Sequence, residues 1–328
     1  MGHLTTLTIL ALLATRGHAA NPWEQDAEAD AMAELMREHN TDKGTYGINM
    51  MPRAGAHYHS MYASILAPYR HRTGLVMAEV GANQGDSLNT WVKYFGDSLK
   101  KIFGLRYGIS DSMMHPCEGA HCSKIKIIDS DQSKLSELRK FVRESLGSET
   151  IPRAEHALSL AKGQAKPGPS RYDIIIDDGS HVPKHMLLTF RHLWPYVRPG
   201  GMYVIEDIGF SYVDAPSKIY GYQLGDGGIG QPPPGNLVEK FKQVADLVSR
   251  QWCQPLANYT VFTPEVDRSI WSVQFLSGAI VVHKQSLGQA TLITHVRKVA
   301  MKSVTPKMYA GGSLKAWRLK LDAEQRDW

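Results

Sequence analysis

No unit repeats at a fixed period along the 328 residues, which excludes solenoid and propeller architectures. No apolar run is long enough to cross a bilayer. No basic stretch interleaved with aromatics lies in the body of the chain, so nucleic-acid readout has no footprint. Cysteine is scarce, with three in all. Cys117 and Cys122 fall in the irregular stretch His115 to Cys122, where an oxidising lumen would permit a short disulfide loop, and Cys253 is left over. The alternative is a metal site from His115, Cys117, His121 and Cys122, although that spacing matches no common zinc pattern. Hydrophobic residues at 43% and charged residues at 21% are ordinary for a globular protein and exclude a mainly disordered chain.

What is present begins with a leader. Leu4 to Ala14 is apolar apart from threonines and is followed by Arg16 and Gly17-His18-Ala19-Ala20. This resembles a secretory core and cleavage site, although no Lys or Arg precedes it; a helix that packs on the domain is the other reading. The sequon Asn258-Tyr259-Thr260 also fits the secretory pathway, with onward organelle targeting left open. From Gln285 to Trp328 there are 8 basic and 3 acidic residues, which accounts for the whole net charge of +5. That tail suits either an anionic surface or a solvated helix face. The chain therefore divides into a leader (1–20), a helical and loop cap (21–74), a catalytic domain (75–284) and a basic tail (285–328).

Within the cap, Trp23 to Asn40 has helical spacing, with Trp23, Ala27, Ala31 and Leu35 on one side. Thr41 to Tyr58 reads as loop. From Leu75, short strands alternate with helices. Strands are predicted at Leu75 to Val80, Lys101 to Tyr107, Lys124 to Ile128, Ile174 to Ile176 and, after the turn Pro199-Gly200-Gly201, Met202 to Ile205. Helices are predicted at Ser87 to Tyr94, Ser133 to Leu146, Lys184 to Tyr196 and Leu237 to Arg250. This order implies an α/β fold, Rossmann-like and doubly wound, with helices on both faces of a mostly parallel sheet. Tyr220 to Asn236, rich in glycine with three successive prolines, reads as a functional loop. Trp271 to Leu276 and Ala279 to His283 are separated only by Ser277-Gly278, a hairpin that closes the sheet with one antiparallel strand.

Two constellations carry chemistry. The turn after the first strand reads Glu79-Val80-Gly81-Ala82-Asn83-Gln84-Gly85. Its glycines permit a sharp turn and close backbone approach, but their spacing is not that of a dinucleotide fingerprint. Glu79 would repel a pyrophosphate and suits a cationic ligand such as a sulfonium cofactor. The second constellation is Asp177-Asp178-Gly179-Ser180-His181 after one buried strand and Glu206-Asp207 after the next. If those strands pair, about 4.8 Å apart, Asp178, Glu206 and Asp207 converge and require a cation. Hard oxygen donors favour Mg²⁺ or a similar ion. Helix capping by Asp178 or Ser180 is the structural alternative. His181, at the same edge, is placed to take a proton from a hydroxyl.

These residues resemble the metal-dependent class I O-methyltransferases of the macrolide-sugar, mycinamicin type. The resemblance runs from Thr41-Asp42-Lys43-Gly44 through His57-Tyr58, Tyr62, Gly85-Asp86-Ser87-Leu88, Trp91, Tyr94-Phe95 and Asp131-Gln132-Ser133. It is closest at Ile176 to His181 and Arg198 to Asp207, followed by Ser211-Tyr212. It implies S-adenosylmethionine as cofactor, Asp178, Glu206 and Asp207 as Mg²⁺ ligands, and His181 as catalytic base. It also implies a cofactor pocket from Glu79, Gly81, Asn83, Gly85 and Ser87, with Asp131 and Gln132 near the adenine. The implied partner is a sugar-like, polyol or natural-product hydroxyl, small molecule or glycan, and a homo-oligomer is compatible with all of this. One departure stands out. Where the family carries an acid for the ribose hydroxyls, this chain reads Gly104-Leu105-Arg106-Tyr107. Either Asp111 substitutes, or cofactor affinity changes, or the chain binds without turnover. A leader is also unlike the bacterial antibiotic enzymes, so the acceptor need not be a macrolide.

Overall fold

The computed structural model describes residues 22–44, 58–149, 171–212, 218–219, 222–223, 236–248, 260–286 and 288–289. The leader, His57, Cys253, the Asn258-Tyr259 part of the sequon, most of the glycine- and proline-rich loop and nearly all of the basic tail lie outside the described residues. None of the helices among the described residues is long and apolar enough to cross a membrane.

The described chain forms two compact units that interleave along the sequence. One comprises residues up to 75 together with 84–100 and 114–124. It holds α1 (Pro22–Glu38), α2 (His59–Leu66) and α3 (Asp86–Phe95). The helix over 22–38 forms where its spacing predicts one, but the face is different. Met32 and Met36 are buried, whereas Ala27 and Ala31 are exposed. The two methionines, four residues apart, offer more apolar area than the alanines and take the inward stripe. Across from them Tyr62 is buried, with its ring 4.7 Å from Trp91. The helix α2 had no clear sequence signal and lies just beyond the expected loop.

The second unit holds the sheet. Its strands are β1 (Leu75–Val80), β2 (Leu99–Arg106), β3 (Ile125–Asp129), β4 (Tyr172–Asp177), β5 (Val197–Ile205), β8 (Ile270–Leu276) and β9 (Ala279–Lys284). A separate two-stranded ladder joins β6 (Lys218–Ile219) to β7 (Tyr222–Gln223). The main sheet has the order β3-β2-β1-β4-β5-β9-β8. The pairs β1–β4, β2–β3 and β4–β5 are parallel, and β9 runs antiparallel to both β5 and β8. A mostly parallel sheet with an antiparallel hairpin at one edge is the class I methyltransferase fold, as the spacing of elements implies.

One face of this sheet carries α4 (Leu135–Leu146), α5 (Pro183–Leu193) and α6 (Leu237–Val248). Val80, Leu105, Ile175 and Ile205 face Phe141, Phe190 and Phe241 in a single apolar cluster. Phe190 is its hub, with its ring within 5.2 Å of those of Trp194, Tyr203, Phe241 and Phe262. The helix α5 starts with Pro183 at its first position after an extended Val182, which has no capping side chain.

β5 differs from expectation. The strand begins at Val197, before the glycines rather than after them. Val197 pairs with Tyr172 and Met202 with Ile174, so six residues of β5 oppose three of β4. The extra residues form a bulge in which Gly200 is left-handed, and a Cβ on Gly201 would press on the carbonyl oxygen of Asp173. Glycine is thus required by the bulge itself.

Candidate active site

The parallel strands β1, β4 and β5 end side by side on one edge. The register pairs Val80 with Asp177 and Asp177 with Ile205, and the ladder continues one residue further. Asp178 N–H donates to Val80 O and Glu206 N–H donates to Asp177 O, each at 2.9 Å. Beyond that point the chain turns sharply. Asn83, His181 and Asp207 all have positive φ (41°, 57° and 52°) in the loops that follow these three strands. Asn, His and Asp tolerate this region better than other residues, and such strain concentrates at functional sites.

The turns bring three side chains together. Among the described residues, Asp178, His181 and Asp207 offer ligand atoms all within 4.8 Å of one another. His181 Nε2 lies 3.7 Å from Asp207 Oδ2. Glu206, expected in the same cluster, is not one of these three; its side chain is buried, with 1% exposure. Successive residues of extended backbone project to opposite faces, so neighbours such as Glu206 and Asp207 share a pocket only if the chain twists between them. Two neighbouring carboxylates suit a small hard cation, which prefers oxygen donors.

Beneath the cluster lies a polar bracket that the sequence did not single out. Asp177 is fully buried; its Oδ1 accepts from Gln132 Nε2 at 2.7 Å and its Oδ2 from Tyr203 Oη at 2.9 Å. Burial pushes its carboxyl up to about 7, against the lowering effect of those two bonds. Gln132 Oε1 in turn accepts from Ser180 N–H at 2.8 Å. The Gln132 amide is thus committed at both ends to protein. A Cβ on Gly179 would overlap Gln132 Oε1, and one on Gly81 would overlap the Asp178 carbonyl. Gly81 serves the close approach of β1 and β4 tips, and the amides of Gly81 and Ala82 both donate to Leu105 O. A signal for Asp177 was present, since it ends a strand of pure β-formers, where an acid needs dedicated partners.

The other expected cofactor residues are placed as follows. Glu79 is fully buried on β1, opposite Ile176. Asp131 accepts from Ser133 N–H and Oγ and pairs with Lys134 at 2.8 Å; these contacts outweigh burial and lower its pKa. Gly85 and Ser87 belong to the other unit. There Gly85 is left-handed (φ 95°) just ahead of α3, and Ser87 is buried in the first turn.

Arg106 ends β2, opposite Asp129 on β3. Its guanidinium is buried and grips Asp129 through Nε (2.7 Å) and Nη2 (2.9 Å), while Nη1 lies 2.8 Å from Asp111. The bond to Asp129, more than that to Asp111, holds its pKa above the usual range despite burial. Asp111 remains 93% exposed and Asp129 65% exposed, so one cation is matched by two accessible acids. Cys117 and Cys122 are bonded to each other. The disulfide reading holds and the Cys/His metal reading does not.

No protein-family model matches the chain. Over 200 residues it is 29% identical to an 8-demethyl-8-alpha-L-rhamnosyl tetracenomycin-C 2'-O-methyltransferase of Streptomyces olivaceus, covering 59% of this chain and 42% of that protein. Over 60 residues it is 47% identical to a mycinamicin VI 2''-O-methyltransferase of Micromonospora griseorubida, covering 16% of this chain and 15% of that one. The match spans less than half the length of either protein. Among solved structures, the chain is similar to the MycE methyltransferase of the mycinamycin pathway in complex with Mg and SAH. That likeness has a TM-score of 0.56 at 24% identity and covers 78% of this chain and 54% of that one. It is a likeness of fold. The resemblance drawn from the residues is upheld: the proteins this chain is similar to are O-methyltransferases of antibiotic sugars.

Proposed function

We propose that the chain transfers a methyl group from S-adenosylmethionine to a hydroxyl of a sugar-like, polyol or natural-product acceptor. The convergence of Asp178, His181 and Asp207 at the tips of β4 and β5 carries this reading, and the similar antibiotic-sugar O-methyltransferases support it. A Mg²⁺ ion in that cluster would orient the acceptor and stabilise negative charge developing on its oxygen. Asp178 and Asp207 would supply its carboxylates, and Glu206, buried at the end of β5, is the proposed third ligand. His181 accepts the hydroxyl proton as the new C–O bond forms and the C–S bond of the sulfonium breaks. Glu79, buried on β1, suits the cationic end of the cofactor, and the turn from Gly81 to Asn83 its body. At the tip of β2, Asp111 and Asp129 leave an acidic margin around Arg106. That supports a retained ribose site and removes the reason for preferring binding without turnover.

The leader is proposed to direct the chain into the secretory pathway, where the bond between Cys117 and Cys122 is stable. The test of the activity is a screen with methyl-labelled S-adenosylmethionine against glycosides and polyols, with and without Mg²⁺. Label entering an acceptor only when Mg²⁺ is present is the expected result. Cofactor binding without transfer to any acceptor would leave a binding protein instead.

A further inference from the structure

An imidazole that acts as a base usually owes its orientation to a group bonded to its second nitrogen. His181 has no such group among the described residues. Among the described residues its Nδ1 is buried and without a hydrogen-bond partner, while Nε2 faces Asp207 Oδ2 at 3.7 Å. With no polar anchor on that nitrogen, packing has to hold the ring. The packing residue is Phe210. Its ring lies parallel to the imidazole, 5.0 Å between centroids and 15° between planes.

Phe210 is itself anchored. It sits in the 3₁₀ turn Ile208–Tyr212, directly after the left-handed Asp207. Ile208 N–H donates to Gly278 O at 3.1 Å, tying the turn to the β8–β9 hairpin, and Phe210 N–H donates to Asp207 O at 3.2 Å. One short turn therefore presents both the carboxylate and the aromatic face between which the imidazole is set. A phenyl face offers neither donor nor acceptor, so it fixes the plane of the imidazole without competing for either nitrogen.

We propose that Phe210 is a positioning residue that holds the plane of the His181 imidazole beside the Asp207 carboxylate, where its Nε2 is presented to the acceptor hydroxyl. The chemical consequence rests on the proposed function; the stacking does not.

The test uses the full chain labelled with ¹³C at histidine Cε1, in the presence of S-adenosylhomocysteine, with Mn²⁺ as the probe of the carboxylate pocket. The His181 signal is identified by its absence in His181→Gln. In the wild type it is expected to carry a ring-current shift and to broaden with substoichiometric Mn²⁺. Phe210→Ala and Phe210→Leu should each lose that shift and weaken the broadening, and Phe210→Tyr should restore both. Once an acceptor is found, the first two variants should lower kcat by about 10²-fold with little change in KM, the scale expected when a reacting group is misplaced by about 1 Å. A His181 signal that keeps its shift or its broadening in both Phe210→Ala and Phe210→Leu overturns the proposal, as does failure of Phe210→Tyr to restore them. Absence of Mn²⁺ broadening in the wild type would instead overturn the metal site of the proposed function, leaving the ring-current shift to decide the role of Phe210.

Discussion

At the scale of single residues, Asp178 and Asp207 are the carboxylates proposed to hold the cation. Replacing either by Asn removes one anion while keeping the shape, so the protein should stay folded and lose Mg²⁺-dependent transfer. Full activity of Asp178→Asn in excess chelator would rule the metal out. His181→Ala removes the proposed proton acceptor and is expected to lower kcat by about 10²–10⁴-fold, with cofactor affinity little changed because such a group acts in the transition state. Lys284 behaves differently. Its Nζ donates to the carbonyls of Trp194 (2.9 Å) and Pro195 (3.2 Å). Burial, with a smaller part from Arg171, pushes its ammonium down to about 7. Between about 7 and the ordinary lysine range near 10.5, the unfolded chain holds a proton that the folded protein has released. Stability contributed by this site therefore rises with pH across that window. Lys284→Gln should flatten the rise in denaturation curves taken from pH 7 to 9; parallel profiles for variant and wild type would clear Lys284 of it.

At the scale of elements, α3 and the disulfide loop that follows β2 form one assembly. His115 N–H donates to Gln84 O at 2.8 Å, and its Nδ1 meets Asp86 Oδ1 at 2.7 Å. Asn89 Nδ2 donates to Pro116 O at 3.3 Å. At the other end of the helix, Lys124 Nζ donates to Gly96 O at 2.8 Å. The bond between Cys117 and Cys122 closes the loop between these two anchor points. Reduction by a dithiol lengthens the loop's reach and adds conformational freedom. Amide exchange over 86–95 should then speed up while that of β4 and β5 is unchanged; equal exchange in oxidised and reduced protein would show that the loop holds without its bridge.

Elements also show what could be read in advance. The ends of β1 and β9 fall where apolar runs meet glycine or a two-residue turn, because burial and turn chemistry are both written locally. The convergence of Asp178, His181 and Asp207 was legible because each lies in the loop after a buried strand, and paired parallel strands put their tips on one edge. Glu206 was grouped with them because it follows the strand paired with β4. The turn that decides where its side chain lies relative to Asp207 is a backbone property, seen in a φ of 52° at Asp207. Phe210 was invisible for the same reason, since its contact with His181 depends on two left-handed turns from different strands. The Met32 and Met36 face of α1 was missed because the spacing of alanines looked equally regular, while side-chain volume decided the burial.

At the scale of the whole molecule, the sheet unit depends on one apolar cluster shared by four rings around Phe190. Phe190→Ala leaves a cavity there and should cost about 3–5 kcal/mol, read as a lower denaturation midpoint with an unchanged slope. A cost under 1 kcal/mol would mean that the cluster collapses around the gap. The leader adds an expectation for the chain in its own host. The mature protein should begin close to Asn21, and an intact mass that still includes Met1 would remove the secretory route.

The central claim is that the tips of β4 and β5 hold a divalent cation beside S-adenosylmethionine. Calorimetric titration of Mg²⁺ into protein saturated with S-adenosylhomocysteine tests it most directly, with Asp178→Asn/Asp207→Asn as comparison. The expected result is saturable binding near one ion per chain in the wild type and none in the double variant. Equal Mg²⁺ binding by both proteins, or no heat from either S-adenosylhomocysteine or Mg²⁺ with the wild type, would contradict it.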